Sequence, residues 1–272
     1  MNTEKLIRIS KSRFKSGEQC LKRTWLEAHK PEEAKELSEA ELMYIEQGEK
    51  VGEFAHNLFP EGVLVEFGPT ETRKALAKTQ ALLADPTVRT IFEPAFEFQD
   101  NLVRVDILHR LDDKNSFELI EVKGAAEIKD EHILDAAFQY YVVKNAGLNV
   151  QSVKLAHPYK AYVRPDEGPI NPEEFFEILD ITEQAEALGN HIRARLTIHR
   201  ATIEQDEEPE IDFGTHCNKP YRCPFWDYCH YGRTQHPITE LNNLRPEQRA
   251  VFRDLDIWDV RDVPENFPIL RD

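Results

Sequence analysis

Two neighbouring segments decide the fold of this chain: Val103-Arg104-Val105-Asp106-Ile107 and Glu118-Leu119-Ile120-Glu121-Val122-Lys123. Apolar and polar residues alternate in both segments, which predicts two β-strands. The polar stretch Asp112-Asp113-Lys114-Asn115 between them is typical of a turn. We therefore predict an antiparallel hairpin with its turn centred between Asp113 and Lys114.

This register would set Asp106 directly opposite Glu121. Opposite partners in an antiparallel pair have Cβ atoms about 5 Å apart. Lys123 shares the face of Glu121, because side chains alternate along a strand with a period of two. Two carboxylates this close repel each other, and a divalent cation relieves the repulsion by taking oxygen ligands from both. The opposing interpretation is a surface hairpin with an ordinary salt bridge between Glu121 and Lys123.

Helices and further strands are expected on both sides of the hairpin. We predict helices over 12–29, 38–58, 70–84, 130–145 and most of 172–199, and further strands over 62–67, 90–99 and 150–156. Ser38-Glu39-Ala40-Glu41 fits the capping box that begins a helix. This order of elements predicts an α/β fold with a mixed central sheet flanked by helices.

The charge is negative overall but unevenly distributed. Lys and Arg total 34 and Asp and Glu total 50, which gives a formal net charge of −16. This balance excludes a generally basic protein that coats nucleic acid, because Lys and Arg drive phosphate binding. Residues 1–30 nevertheless hold eight basic side chains against three acidic ones. The net charge therefore does not exclude an enzyme that admits one nucleic-acid strand through a local basic channel.

Nothing in the sequence indicates a membrane partner. No apolar stretch approaches the roughly 20 residues that a spanning helix needs. The start, Met1-Asn2-Thr3-Glu4-Lys5, leads into no signal-peptide core. We therefore expect a cytoplasmic protein.

The four cysteines are candidate metal ligands. In a reducing compartment, clustered cysteines are more often ligands than disulfides. They are Cys20, Cys217, Cys223 and Cys229. Four thiolates suit an iron–sulfur cluster and zinc equally well. Because His216 and His230 adjoin the cysteines, a zinc site is an alternative to an iron–sulfur cluster.

The hairpin resembles the signature of the PD-(D/E)xK nuclease superfamily in its RecB-like branch. Asp106 and Glu121-Val122-Lys123 match that signature. The resemblance implies a central sheet of the restriction-endonuclease-like type. It also implies Mg²⁺ or Mn²⁺ held by Asp106, Glu121 and the Val122 carbonyl, with Lys123 assisting the water that attacks a phosphodiester.

Two further positions fit this branch. Gly48, Gly52 and His56 are spaced by four, so they lie along one helical face, and His56 matches the metal-ligating histidine of the branch. The alternative for His56 is an ordinary core or surface histidine. Gln139 matches a glutamine on the helix after the lysine strand, which contacts DNA or positions the lysine. Glu93, before Pro94, is either an additional acidic group near the site or a plain surface residue, and we favour the surface residue.

The cysteine pattern resembles that of iron–sulfur nucleases such as the CRISPR adaptation exonucleases and the AddB-type nuclease domains. These relatives have one cysteine near the N-terminus and three near the end of the domain. Their four thiolates hold a 4Fe–4S cluster that staples a helical cap. Here the segments would be about 10–30 and 214–232, and the spacing is C-x5-C-x5-C where relatives commonly have C-x2-C-x5-C. Zinc is the alternative metal.

The resemblance implies a RecB-like iron–sulfur nuclease domain over 1–235, with its core at about 38–160, and a short helical extension over 236–272. We expect a metal-dependent deoxyribonuclease, an exonuclease that prefers single-stranded DNA. The rival hypothesis is a non-catalytic module that binds nucleic acid or protein and contains a structural zinc or iron–sulfur site.

Overall fold

The computed structural model of the chain describes residues 7–111, 115–232, 234–241 and 244–268. The predicted turn between Asp113 and Lys114 lies outside the described residues, as does the polar start at 1–5. Within the described ranges, no helix combines the length and the apolar character needed to cross a bilayer.

Helices and strands alternate along much of the chain. The α-helices are α1 (Lys11–Gln19), α2 (Leu21–His29), α3 (Glu39–Ala55), α4 (Thr72–Ala84), α5 (Asp130–Asn145), α6 (Pro172–Phe175), α7 (Thr182–Ala187), α8 (Gly189–Ile203), α9 (Trp226–Tyr231) and α10 (Pro246–Asp254). The strands are β1 (Ile9–Ser10), β2 (Val63–Leu64), β3 (Thr90–Phe92), β4 (Ala95–Phe98), β5 (Asn101–Arg104), β6 (Ile107–Arg110), β7 (Ser116–Val122), β8 (Asn149–Pro158) and β9 (Phe176–Asp180). The predicted capping box is present, since Ser38 and Glu41 bond reciprocally at the start of α3.

Two mixed sheets are formed by the described strands. The larger has the order β2-β3-β6-β7-β8-β9. Its pairs β2–β3 and β7–β8 are parallel, and its other pairs are antiparallel. The smaller has the order β1-β5-β4, with β1 parallel and β4 antiparallel to β5. The predicted α/β class is therefore confirmed, although the described strands form two mixed sheets where one central sheet was expected.

Strands β6 and β7 form a hairpin in the predicted register. The predicted strand over 103–107 is divided, however: Val103 and Arg104 belong to β5 of the smaller sheet, and Ile107 begins β6. Ile107 pairs with Ile120, and Arg110 pairs with Phe117. Asp106 and Glu121 consequently lie one step beyond the pair of isoleucines, at the open end of the hairpin. The hairpin thus brings two carboxylates to the same end of the central strands.

Helices cover the hairpin on its two faces. On one face, Ile107 and Ile120 pack with Ala55 at the end of α3 in a buried apolar cluster. The side chain of Glu121 points to the other face, because it alternates with Ile120. There it meets Gln139 of α5. The neighbouring Phe138 is fully buried, so packing fixes the helix that faces the carboxylate.

Two predicted helical regions are confirmed, but each is interrupted. The helix expected over 12–29 is split at Cys20, whose extended backbone (φ −163°, ψ 123°) makes it the N-cap of α2. The region 172–199, expected to be mostly helical, contains β9, which pairs antiparallel with β8. Pairing with an existing sheet edge outweighs the weak local helix preference of this short segment.

The chain divides into two compact units. The first comprises the described residues of 1–15 and 38–200 and contains both sheets. The second comprises those of 16–37 and 201–272 and contains the four cysteines and α10. The nuclease domain over 1–235 and the extension over 236–272 stay predictions, because a compact unit is not by itself a functional one.

Candidate functional site

Asp106 is held by the strand opposite to it. The backbone N–H of Val122 donates to Oδ2 of Asp106 at 2.6 Å. Burial raises the pKa of Asp106 well above its usual value, and the negative charge of Glu121 adds to the rise. A carboxyl group in this condition gains more than an exposed one from a cation placed beside it.

Glu121 accepts hydrogen bonds from three side chains. Its Oε1 accepts from Lys11 Nζ at 3.0 Å and from Lys123 Nζ at 2.6 Å. Its Oε2 accepts from the amide of Gln139. Burial by itself would raise the pKa of Glu121, but the charges of Lys11 and Lys123 outweigh burial and hold it below its ordinary value. The side chain is therefore a buried carboxylate at neutral pH.

Asp135 of α5 anchors Lys123 from the other side. The ammonium of Lys123 donates to Oδ2 of Asp135 as well as to Glu121. Lys15 Nζ lies 3.9 Å from the same Asp135 oxygen. Burial opposes the charge on Lys123, but Glu121 and Asp135 raise its pKa above the ordinary value. Lys123 is thus a positively charged group fixed between two carboxylates.

His56 lies apart from this hydrogen-bonded group. Its ring stacks on Phe92 with the ring centroids 3.9 Å apart, and burial lowers its pKa. Within the described residues, no three His, Cys, Asp or Glu side chains are grouped so that they could hold one metal ion. The structure therefore brings Asp106, Glu121, Lys123 and Gln139 together but does not add His56, whose role as a ligand stays a prediction.

The small residues predicted along α3 do allow one close approach. A Cβ added to Gly124, directly after Lys123, would lie 3.4 Å from the Cα of Gly48. Gly52 has no such neighbour within 4 Å of the position of its added Cβ. Helix α3 therefore approaches the end of the lysine strand at Gly48, one helical turn before Gly52.

Glu93 adds a further carboxylate that the sequence assigns to the surface. Its side chain is half-buried, and its backbone has φ +54°, a conformation uncommon outside glycine. Burial raises the pKa of Glu93, while the charge of Lys11 acts in the opposite sense. Glu93 thus interacts electrostatically with Lys11 and Glu121.

The donor set at Asp106 and Glu121 fits a hard divalent cation. Mg²⁺ and Mn²⁺ prefer carboxylate and carbonyl oxygens. At this point lie the buried carboxylate of Glu121 and the half-buried carboxyl group of Asp106, and Val122 ends the same strand as Glu121. Burial is the main cause of the raised pKa of Asp106, and the charge of Glu121 adds to it.

All four cysteines line one small cavity in the second unit. They are free thiols, and the N–H of Cys223 donates to the carbonyl of Cys217 at 2.9 Å. Burial raises the pKa of the Cys223 thiol to about 11 and that of Cys229 to about 12. Such thiols are neutral at pH 7, and a metal that binds them must displace their protons. The four sulfur atoms share this cavity, but no three His, Cys, Asp or Glu side chains among the described residues are grouped to hold a metal ion.

Gln19 joins the distant cysteine segments of this unit. Its side-chain amide donates to the carbonyls of His216 and Tyr221, each at 2.7 Å. Trp25 and Phe225 pack in one buried cluster that includes Cys223. Hydrogen bonds and apolar packing therefore hold the segment of Cys20 against the segment of the other three.

The two histidines beside the cysteines differ in their surroundings. Both ring nitrogens of His230 lie near Oγ1 of Thr239, at 2.9 and 3.0 Å, and the ring stacks on Trp226. His216 instead lines the cavity of the four cysteines. Of the two histidines, His216 is the one that shares the cavity with the cysteines.

Three charged residues near Glu121 and Lys123 could not be predicted from the sequence to lie at this site. They are Lys11, Lys15 and Asp135. Asp135 stands four residues before Gln139, so the predicted helix already sets both on one face. Lys11 and Lys15 share a face of α1 in the same way. Nothing in the sequence says that this helix meets the hairpin about a hundred residues further on.

Several of the N-terminal basic side chains are paired with acidic side chains and do not form a free basic patch. Arg8 pairs with Glu97 and Lys22 with Glu208, each at 2.6 Å. Together with Lys11 at Glu121, these pairs set basic side chains against acidic side chains of the same protein. The excess positive charge of the first thirty residues is therefore not all available to a phosphate backbone.

No family model matches the chain, and no curated protein is significantly similar to it. The assignment of roles therefore depends on the geometry described above and on the motifs that carry the resemblance. The hairpin register and the shared cavity of the four cysteines are features of the structure itself.

Proposed function

We propose that this chain is a metal-dependent nuclease that hydrolyses phosphodiester bonds in DNA, on a sheet of the restriction-endonuclease-like type. One observation carries the proposal: the hairpin register that sets Asp106 beside Glu121, with Lys123 bonded to the latter at 2.6 Å. A surface salt bridge needs neither the burial of Glu121 nor its contact with Gln139.

In this proposal, Asp106, Glu121 and the Val122 carbonyl hold Mg²⁺ or Mn²⁺, and the resemblance adds His56. When bound, the ion lowers the pKa of a coordinated water and stabilises charge on a phosphoryl oxygen. The Val122 N–H fixes the Asp106 carboxylate at 2.6 Å. Lys123 orients the attacking water or neutralises the phosphate, and Gln139 fixes the second oxygen of Glu121.

We further propose that Cys20, Cys217, Cys223 and Cys229 hold a 4Fe–4S cluster, with zinc as the alternative. The shared cavity supports a four-sulfur site. A cytoplasmic location fits it, because thiols stay reduced there. For the substrate we favour single-stranded DNA degraded from an end, on the resemblance.

The test is cleavage of end-labelled single-stranded DNA with added Mn²⁺. We expect the Lys123→Ala variant to lose about 100-fold or more in rate, the usual scale for a positioned proton-transfer or orienting group. Lys160→Ala is the matched control, because Lys160 forms an exposed pair with Glu127. Duplex DNA and RNA substrates define the preference. Full activity in both Lys123→Ala and Glu121→Ala would overturn the proposal.

The rival, a non-catalytic module, predicts binding without cleavage under any metal. The absence of a third metal ligand among the described residues is the observation in its favour. Visible absorption and metal analysis of the purified protein test the cluster separately. A brown protein containing iron supports the cluster, whereas a colourless protein with stoichiometric zinc selects the alternative.

A further inference from the structure

Lys11 lies where a cation at the carboxylates would be expected. Its ammonium is 3.0 Å from Oε1 of Glu121. The charges of Asp135 and Asp106 also act on it, in the same sense as that of Glu121. A residue at the start of α1 therefore supplies positive charge to acidic groups on β7, on α5 and in the link between β5 and β6.

The acceptor capacity of Glu121 limits how many partners it can have. A carboxylate oxygen offers about two lone-pair sites. Lys11 and Lys123 occupy both sites on Oε1, and Gln139 occupies one on Oε2. A divalent cation that coordinates Oε1 must therefore displace one of the two ammonium groups.

Lys11 is the more easily displaced of the two. Its side chain is 31 % exposed, against 14 % for Lys123. Lys123 is also held by Asp135, and its backbone N–H donates to the carbonyl of Ala156 at 2.8 Å. Lys11 has solvent to move into, whereas Lys123 is fixed at both its backbone and its ammonium.

We propose that Lys11 is an internal counter-ion that takes the place of the divalent cation at Glu121 and leaves when Mg²⁺ or Mn²⁺ binds. The inference rests on the proposed function, because it requires that the ion bind at Asp106 and Glu121. Its consequence is that Lys11 neutralises the buried carboxylates in the metal-free protein and weakens the affinity for the metal. Metal binding then releases the Lys11 ammonium group towards the solvent-exposed side of the site.

Calorimetric titration with Mn²⁺ measures this competition, since Mn²⁺ favours oxygen ligands over thiolates. We expect Lys11→Met to bind Mn²⁺ about tenfold more tightly than the wild type, because a neighbouring positive charge is removed. Lys15→Met is the matched control on the same helix, since Lys15 lies 3.9 Å from Asp135. Equal or weaker binding by Lys11→Met, compared with the wild type, would overturn the inference.

Chemical labelling tests the unsubstituted protein, so the inference does not depend on the folding of a variant. Reductive methylation followed by mass spectrometry should show more modification of Lys11 with Mn²⁺ than without it. If the modification of Lys11 is unchanged although Mn²⁺ binds, the displacement of Lys11 is refuted and the proposed metal site is not. If Asp106→Asn binds Mn²⁺ as the wild type does, the ion lies elsewhere, and both this inference and the proposed metal site fail.

Discussion

The side-chain amide of Gln139 donates a hydrogen bond to Oε2 of Glu121, eighteen positions earlier in the chain. Gln139 is fully buried on α5, and Glu121 is 1 % exposed on β7. This bond fixes the orientation of a carboxylate whose other oxygen faces two lysines. The relationship joins the helix after the hairpin to the candidate site itself.

Replacing Gln139 with Leu removes this donor and leaves a buried carboxylate oxygen without it. We expect a loss of about 1–3 kcal/mol in the free energy of unfolding, the cost of an unsatisfied buried polar group. Misorientation of Glu121 should also lower Mn²⁺-dependent cleavage by at least about tenfold. Denaturant titration and the DNA assay measure the two effects. Gln151→Leu, at an exposed glutamine on β8, is the control and should change neither.

Much of the site could be predicted because it is local in sequence. Alternation and a polar turn give the register that pairs Ile107 with Ile120. The predicted helix 130–145 coincides with α5, so Gln139 falls on the element that faces Glu121. Both depend on the period of a regular element, which a single sequence displays.

The remainder depends on contacts between distant segments. Lys11 contacts Glu121, which is 110 positions away in the sequence, and the periodicity of α1 does not predict this contact. β9 forms because β8 offers an edge with which it can pair. The break at Cys20 likewise has no helix-breaking residue to predict it. Such features are decided by tertiary packing and not by local propensity.

Asp135→Asn tests how Lys123 is positioned. The substitution keeps the shape of the side chain but removes the charge that pairs with the Lys123 ammonium. Breaking a buried pair is expected to cost about 3 kcal/mol, and cleavage should fall because Lys123 loses one of its two fixed partners. Asp130→Asn, exposed in the first turn of the same helix, should cost less than about 1 kcal/mol. Wild-type cleavage by Asp135→Asn would show that Lys123 needs no second carboxylate.

Cys229→Ser tests the metal centre of the second unit. Loss of one of four sulfur donors should strongly reduce the iron or zinc content per chain and lower the Tm, because metal binding adds to folding stability. Elemental analysis and thermal unfolding measure both. His216→Ala separates the candidate ligand sets: it keeps the metal of an all-cysteine site and loses that of a site with three cysteines and one histidine, while elemental analysis identifies the metal. Metal content unchanged in Cys229→Ser would exclude Cys229 as a ligand.

Glu208 should make stability depend on pH in the acid range. It pairs with Lys22 at 2.6 Å and Lys30 at 3.1 Å and accepts from Tyr228 at 2.6 Å. Burial acts against its charge, but these bonds lower its pKa to about 2. A lowered folded-state pKa stabilises the protein above the unfolded value of roughly 4.5, and this contribution is lost as pH falls towards 2. Glu208→Gln should therefore destabilise by about 1 kcal/mol at pH 6, with a difference from wild type that shrinks steadily below pH 4.5. A difference that stays constant from pH 6 to pH 2.5, measured by denaturant titration at each pH, would show that the carboxylate gains nothing from these partners.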